Sequence, residues 1–351
     1  MRLRPFHAFM ALFTVCLFMS ANVRVSAVTP PAPADSTIAV IAYFCKNDTM
    51  RYVRNKRVLT LENGDTIENK LKVSETFLIV VRDSTPEGYV MEFIPESLEY
   101  GEGMEDDVTA KLSNVLGQYF KNVTAVFTTD EYGQVTGLSN WKEIRDVMKQ
   151  GAKAYLDSLY SAVDSLEMFM PRNKFEGLIT LMYSSEQGML SNYSELSNLF
   201  SLHGNVFDIG KKTFDNSDKD SSVTTLFVGY TPPGEDSFDG DYNIIGSSVT
   251  RLTPEEVVDK AGGVLNILLS DSIAGEANKA FKDSLNMGMT ITQLEDYYLF
   301  YNGWPRLMRI QKITEFGLRT KVETDETGWT YRSWGNYFAK EEDARGASYD
   351  F

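Results

Sequence analysis

The chain has 351 residues, of which 43% are apolar and 24% charged, and its formal net charge is −15. Such a composition excludes a disordered chain and supplies a sizeable core for one large domain or two small ones. The acidity argues against nucleic acid or an anionic membrane surface as the main partner, because both repel it. Two Cys and two His are too few for a disulfide scaffold, a zinc finger or a His-rich metal site.

Residues 1–27 read as a signal peptide. Arg2 and Arg4 form a positive start, residues 8–19 are apolar apart from Thr14, and Val25-Ser26-Ala27 offers small residues for cleavage. The apolar run falls short of the ~20 residues that span a bilayer. Cys16 follows bulky Val15, which speaks against lipid attachment there. Cleavage after Ala27 removes Arg2, Arg4 and Arg24 and no acid, taking the net charge from −15 to −18. It leaves Cys45 and His203 as the only residues of their kinds. A single unpaired Cys fits a bacterial periplasm or cell surface better than a disulfide-rich secreted domain. Cys45 is expected as a small buried hydrophobe in a strand. No second long apolar segment follows, so the exported part is expected to carry no transmembrane anchor.

After a Pro/Ala linker at 28–36, strand signals begin at 38–44 and 51–61, ending at the turn Asn63-Gly64-Asp65. Strands at 76–81 and 89–94 flank Pro86-Glu87-Gly88. The period then changes: Val108, Leu112, Val115, Leu116 and Tyr119 share one face of a short helix. A hairpin at 123–128 and 134–138 turns on Asp130-Glu131-Tyr132-Gly133. Asn140 with Glu143 makes a capping-box-like start. The helix it opens carries Ile144, Met148, Ala152, Tyr155 and Leu159 on one stripe and stops at Pro171. A second long helix is expected from Phe175 through Ile179, Met189 and Leu196 to Leu199, before Gly204.

The second half repeats the plan. Strands at 224–230 and 242–251 precede Thr253-Pro254-Glu255-Glu256, a strong helix start. Gly262-Gly263 weakens that helix by ~1 kcal/mol per glycine. A further amphipathic piece covers 277–285, and strands return at 290–301, 307–316, 319–323 and 329–334. The hairpins at 125–135 and 297–305 look like one device used twice, each a strand, a turn glycine and a return strand.

The chemistry is restricted. His203 is the only imidazole left to serve a nucleophile, and Leu202-His203-Gly204 reads as a helix end, where a cation suits the dipole. No Gly-x-Ser-x-Gly elbow, phosphate loop or dinucleotide fingerprint occurs. The acidic loops at 215–222 and 235–243 fail the calcium-loop pattern of Gly at position six and Glu at twelve. No metal and no cofactor is therefore expected. Two carboxylates across a sugar-sized cleft remain the one catalytic set this chain could supply, with Trp304, Trp329, Tyr331 and Trp334 as a sugar platform. The run 329–338 reads instead as an edge strand.

The turn-glycine hairpins, the helices between them and the leader resemble exported Bacteroidetes proteins of unknown function. More distantly, the stretches 126–138 and 297–310 are similar to the periplasmic lipoprotein-carrier superfamily. That resemblance implies a curved antiparallel sheet with helices over its concave face, and a lipid pocket lined by apolar and Met side chains. On the long helices Met148, Tyr155, Met168, Met170, Met182 and Met189 are the candidates for such a lining.

The expected fold is α+β: curved antiparallel sheets covered by amphipathic helices, in two similar halves. The expected boundaries are a linker at 28–36, halves at 37–204 and 205–340, and a flexible tail at 341–351. The expected function is non-catalytic binding of an apolar ligand, such as lipid, or of a partner segment from an envelope protein, between sheet and helices. A carboxylate-dependent glycan hydrolase and a surface protein-recognition module are the alternatives.

Overall fold

Alternation of β-branched and aromatic residues with polar ones builds most of this molecule into strands. The computed structural model describes residues 37–101, 123–162, 166–191, 193–215, 222–232, 238–269, 271–284 and 287–335. The leader, the linker, the helix expected at 108–119, the tail, most of the acidic loop at 215–222 and the start of the one at 235–243 lie outside the described residues.

The strands in chain order are β1 (Thr37–Ala39), β2 (Thr49–Glu62), β3 (Asp65–Thr85), β4 (Gly88–Tyr100), β5 (Ala125–Thr129), β6 (Val135–Leu138), β7 (Val206–Asp208), β8 (Gly210–Asp215), β9 (Ser222–Tyr230), β10 (Tyr242–Leu252), β11 (Met289–Leu299), β12 (Pro305–Phe316) and β13 (Arg319–Ser333). The helices are α1 (Trp141–Ala162), α2 (Leu166–Phe169), α3 (Arg172–Met182), α4 (Glu186–Leu190), α5 (Ser194–Leu199), α6 (Pro254–Leu268) and α7 (Asp271–Ser284).

Eleven strands form one large curved antiparallel sheet in the order β6-β5-β4-β3-β2-β13-β12-β11-β10-β9-β8, while β1 and β7 pair separately. The sequence reading gave each half its own sheet. Instead β2 pairs β13 along its length, from Glu62 with Arg319 to Thr49 with Ser333, and joins the two meanders into one. The run from Trp329 is therefore in the middle of the sheet and not at its edge. It belongs to a single long strand that a bulge between Trp329 and Tyr331 bends without ending.

The second long helix is broken into α3, α4 and α5. Ser185 accepts from Gly188 N at 3.1 Å and so caps α4, restarting the helix where the apolar period alone would run on. Asn140 does not cap α1 in the expected way. Its Oδ1 accepts from Val126 N at 2.9 Å and its Nδ2 donates to Thr124 O at 2.8 Å, which ties the helix start to β5. At α6 the capping box is formed: Thr253 N donates to Glu256 Oε2 at 2.7 Å, and Glu256 N to Thr253 Oγ1 at 3.3 Å.

One apolar cluster holds sheet and helices together. Met50 and Tyr52 of β2, Phe77, Ile79 and Val81 of β3, Phe127 of β5 and Met308 of β12 share it with Ile144 and Met148 of α1, Met189 of α4, and Leu196 and Leu199 of α5. Fully buried Trp304 stacks on Phe44 with ring centroids 4.1 Å apart, and Tyr52 OH donates to Pro305 O at 2.8 Å. Farther along α1, Ala152, Tyr155 and Leu156 are buried outside this cluster, where α1 packs on α3.

The two similar hairpins meet at one segment. Ala42 N donates to Tyr132 O at 2.8 Å, and Tyr43 N to Asn302 O at 3.0 Å. Gly133 and Gly303 carry φ values of +97° and +84°. A Cβ at Gly133 would lie 2.6 Å from Ala42 Cβ, and one at Gly303 would lie 2.3 Å from Ile41 O. Glycine is required at both because the 38–44 segment passes so close. Cys45 lies beyond that segment, half-buried and outside any strand, with its N–H donated to Asp48 Oδ2 at 2.8 Å.

Candidate functional site, the helix-facing side of the sheet

Register fixes which side chains share the face that meets the helices, because successive residues of a strand point to opposite faces. The row through Arg54 runs Leu98, Glu75, Arg54, Thr327, Met308, Tyr297, Ile244 and Val228 from β4 to β9. The next row, away from the core cluster, runs Tyr100, Val73, Lys56, Asp325, Ile310, Glu295, Gly246 and Leu226. The row beyond that holds Lys70, Val58, Glu323, Lys312, Gln293, Ser248 and Thr224.

The face is thus apolar at one end only and grows more polar from row to row. The physical reason is coverage. Met50, Tyr52 and Phe77 lie in the packed cluster, whereas Val73, Tyr100, Ile310 and Glu295 are only half-buried. Side chains that keep contact with water need not be apolar.

Arg54 stands at the boundary with 1% of its side chain exposed. Its Nε and Nη2 donate to the two oxygens of Asp325 at 2.7 and 2.5 Å, and Nη2 also donates to Ser194 Oγ at 2.9 Å. Nη1 pairs with Glu195 and lies 3.6 Å from Glu75 Oε2. One guanidinium therefore fastens β2, β3, β13 and α5 together. The planar fork suits this, because it serves several carboxylates with fixed geometry.

Electrostatics divides the carboxylates. Burial works against ionised Asp325, but the Arg54 hydrogen bonds and charge outweigh it and hold its carboxyl below the usual range. For Glu75 burial wins over Arg54 and Lys56, so its pKa is raised. Burial also raises Glu295, against a hydrogen bond from Gln293. Lys56 is pulled down to about 8 by burial and by Arg54, against the opposing pull of Asp325 and Glu75. Asp325 and Glu75, together with Glu195, converge on Arg54, so the cluster acts as a fastening. Among the described residues no group of three or more His, Cys, Asp or Glu could hold a metal ion.

The α6–α7 hairpin leaves the sheet where β10 ends and returns at β11. Lys174 of α3 donates to Leu269 O and to Asp271 Oδ1, both at 2.7 Å, at the tip of that hairpin. The hairpin's main contacts are internal, with α3, and with β10 where it departs. Among the described residues no helix is long and apolar enough to cross a membrane.

Of the side chains proposed from the sequence as a pocket lining, the structure brings Met148 and Met189 together in the core and places the other described ones apart from them. Met148 and Met189 are in the packed cluster at 5% and 1% exposure, and Tyr155 is buried outside it. Met168 is 65% exposed. Met170 is half-buried, and its carbonyl accepts from Tyr160 OH at 2.7 Å. The side chain of Met182 lies outside the described residues. Sequence reasoning missed Arg54, Lys56, Glu75, Glu195 and Asp325. The hint available was a charged residue at 54 in phase with Met50 and Tyr52 on a period of two.

His203 is a structural residue. It is fully buried, its Nε2 donates to Gly303 O at 2.9 Å, and burial lowers its pKa to about 4. The expected imidazolium at a helix end is therefore replaced by a neutral ring bracing the Gly303 turn.

No family model and no curated protein matches the chain. Among solved structures, one described as lipid–protein interactions in lipovitellin aligns with a TM-score of 0.36 and 7% sequence identity, covering 87% of this chain and 27% of that one. The chain thus spans about a quarter of the length of the structure it matches.

Proposed function

We propose that this chain is a non-catalytic binding protein that holds an apolar ligand or partner segment between the sheet and the helix layer. The observation that carries the reading is the half-covered row beside the core. Tyr100, Val73, Ile310 and Leu226 are half-buried on the helix-facing side, in the row next to buried Arg54, Thr327, Met308, Tyr297, Ile244 and Val228, and Ile310 and Leu226 lean on the core cluster. A face that offers apolar side chains without closing over them suits a removable occupant. The α6–α7 hairpin is compatible with this, since its described contacts are internal, with α3, and with β10 where it departs.

Export to the periplasm or cell surface, with cleavage near Ala27, belongs to the same proposal. So does the resemblance to exported Bacteroidetes proteins and lipoprotein carriers. The paired use of Gly133 and Gly303 against one segment supports reading the halves as variants of one unit. Titration with N-phenyl-1-naphthylamine tests the binding reading. Saturable fluorescence enhancement that Ile310→Glu reduces at least tenfold is expected. Absence of enhancement, or equal enhancement in the variant, contradicts it.

A further inference from the structure

We infer that β8 is a strand-adding edge whose occupant is β8 of a second copy, the two strands running antiparallel about a twofold axis at Thr213. The large sheet has two edges, and they are finished differently. At one, β6 has only four residues and α4 lies against it. Glu186 Oε1 accepts from Leu138 N at 2.7 Å, and a Cβ on Gly137 would lie 2.6 Å from the same oxygen. At the other, β8 has six residues and, among the described residues, pairs with β9 alone. Lys211, Thr213, Phe214 and Asp215 are exposed along β8, as are Val206, Ile209 and Phe227 around it. A strand left open in this way turns backbone N–H and C=O groups toward solvent and templates another strand.

Charge selects the register and the partner. A twofold axis at Lys212 would set that lysine against its own copy. An axis at Thr213 instead sets Lys211 opposite Asp215 of the second copy, twice by symmetry, and Lys212 opposite its Phe214. Lysine on an edge commonly resists pairing. Here Lys212 is already paired with Asp208, which leaves its aliphatic stem to lie along the facing Phe214, while Lys211 meets a carboxylate. A carboxylate accepts from several donors, so Asp215 can take Lys211 beside the interaction it has within its own chain. The whole chain carries −15, so two copies repel at long range, and matched charges at the contact offset this. The same pairing takes an exposed Phe214 of each copy out of water. It is independent of whatever the helix-facing side holds.

Light scattering on the full protein at tens of micromolar should give twice the mass of one chain. Lys211→Glu and Asp215→Lys should each weaken the dimer about tenfold, because each replaces two attractive cross-strand pairs by two repulsive ones. The two substitutions together should restore it. Register is read separately by disulfide trapping in a Cys16→Ser, Cys45→Ser background. Thr213→Cys meets its own copy on the axis and should crosslink under mild oxidation. Thr225→Cys, its neighbour on β9, should not, because its copy lies ~14 Å away, beyond disulfide reach. A monomeric wild type, which would leave β8 to a strand from another protein, overturns the inference. So do a dimer that both single charge variants leave intact, and crosslinking as ready at 225 as at 213.

Discussion

Arg54 and His203 are the two residues whose burial sets the largest single effects. Removing the guanidinium in Arg54→Met leaves Asp325, Glu195 and Glu75 facing one another without their cation. The expected loss is about 3–5 kcal/mol, read from urea denaturation at pH 7. Asp325 has a lowered pKa, so the stability it contributes is present above its unfolded value and disappears as pH falls through its folded value. The gap between wild type and variant should therefore narrow toward pH 3. A gap that is constant with pH would show that the cluster does not bear the charge assigned to it. His203 titrates at about 4 in the folded chain and near 6.5 unfolded. The unfolded state thus binds the extra proton between those values, and stability falls as pH drops from 6.5 to 4, by about 3 kcal/mol in total. His203→Gln, which keeps a donor for Gly303 O, should lack that component in thermal melts across the same range.

At the scale of elements, the turn glycines give a graded test. Gly64 has φ +89° with nothing within 4 Å of an added Cβ, so Gly64→Ala should cost only the conformational strain of about 1 kcal/mol. Gly303→Ala also meets the Ile41 carbonyl at 2.3 Å and should cost clearly more. Equal losses in the two would refute the clamp on the 38–44 segment. Much at this scale was legible from residues alone. The Thr253-Pro254-Glu255-Glu256 start of α6, the stripe of α1 and both turn-glycine hairpins follow from local chemistry, and local chemistry fixed them. The break into α3, α4 and α5 was not legible, because the apolar spacing continues across Ser185 while the cap that interrupts it is a hydrogen bond to Gly188. Nor was the length of β3. Its residues 65–75 carry little apolar alternation and are held by the ladder to β2, which β4 joins on the other side only from Val73.

At the scale of the whole molecule, the joining of β2 to β13 ties residues near both ends of the described chain into the centre of one sheet. Such a pairing, more than 250 positions apart in the chain, leaves no local trace. This is why the sequence suggested a sheet for each half where one eleven-stranded sheet runs through both. The same non-local register creates the charged cluster, since Arg54 and Asp325 become neighbours only through it. Urea denaturation followed by tryptophan fluorescence and by circular dichroism should show one coincident transition, whereas two separated transitions would mean that the halves are independent.

The central claim is that the helix-facing side of β12, and not its outer side, receives the ligand. Ile310 and Ile313 lie on opposite faces of that one strand. In a Cys45→Ser background, a bimane label at Ile310→Cys should be quenched by the methyl ester of 5-doxyl-stearic acid at concentrations that leave a label at Ile313→Cys unaffected. Equal quenching at both positions, or quenching at 313 alone, would contradict the account.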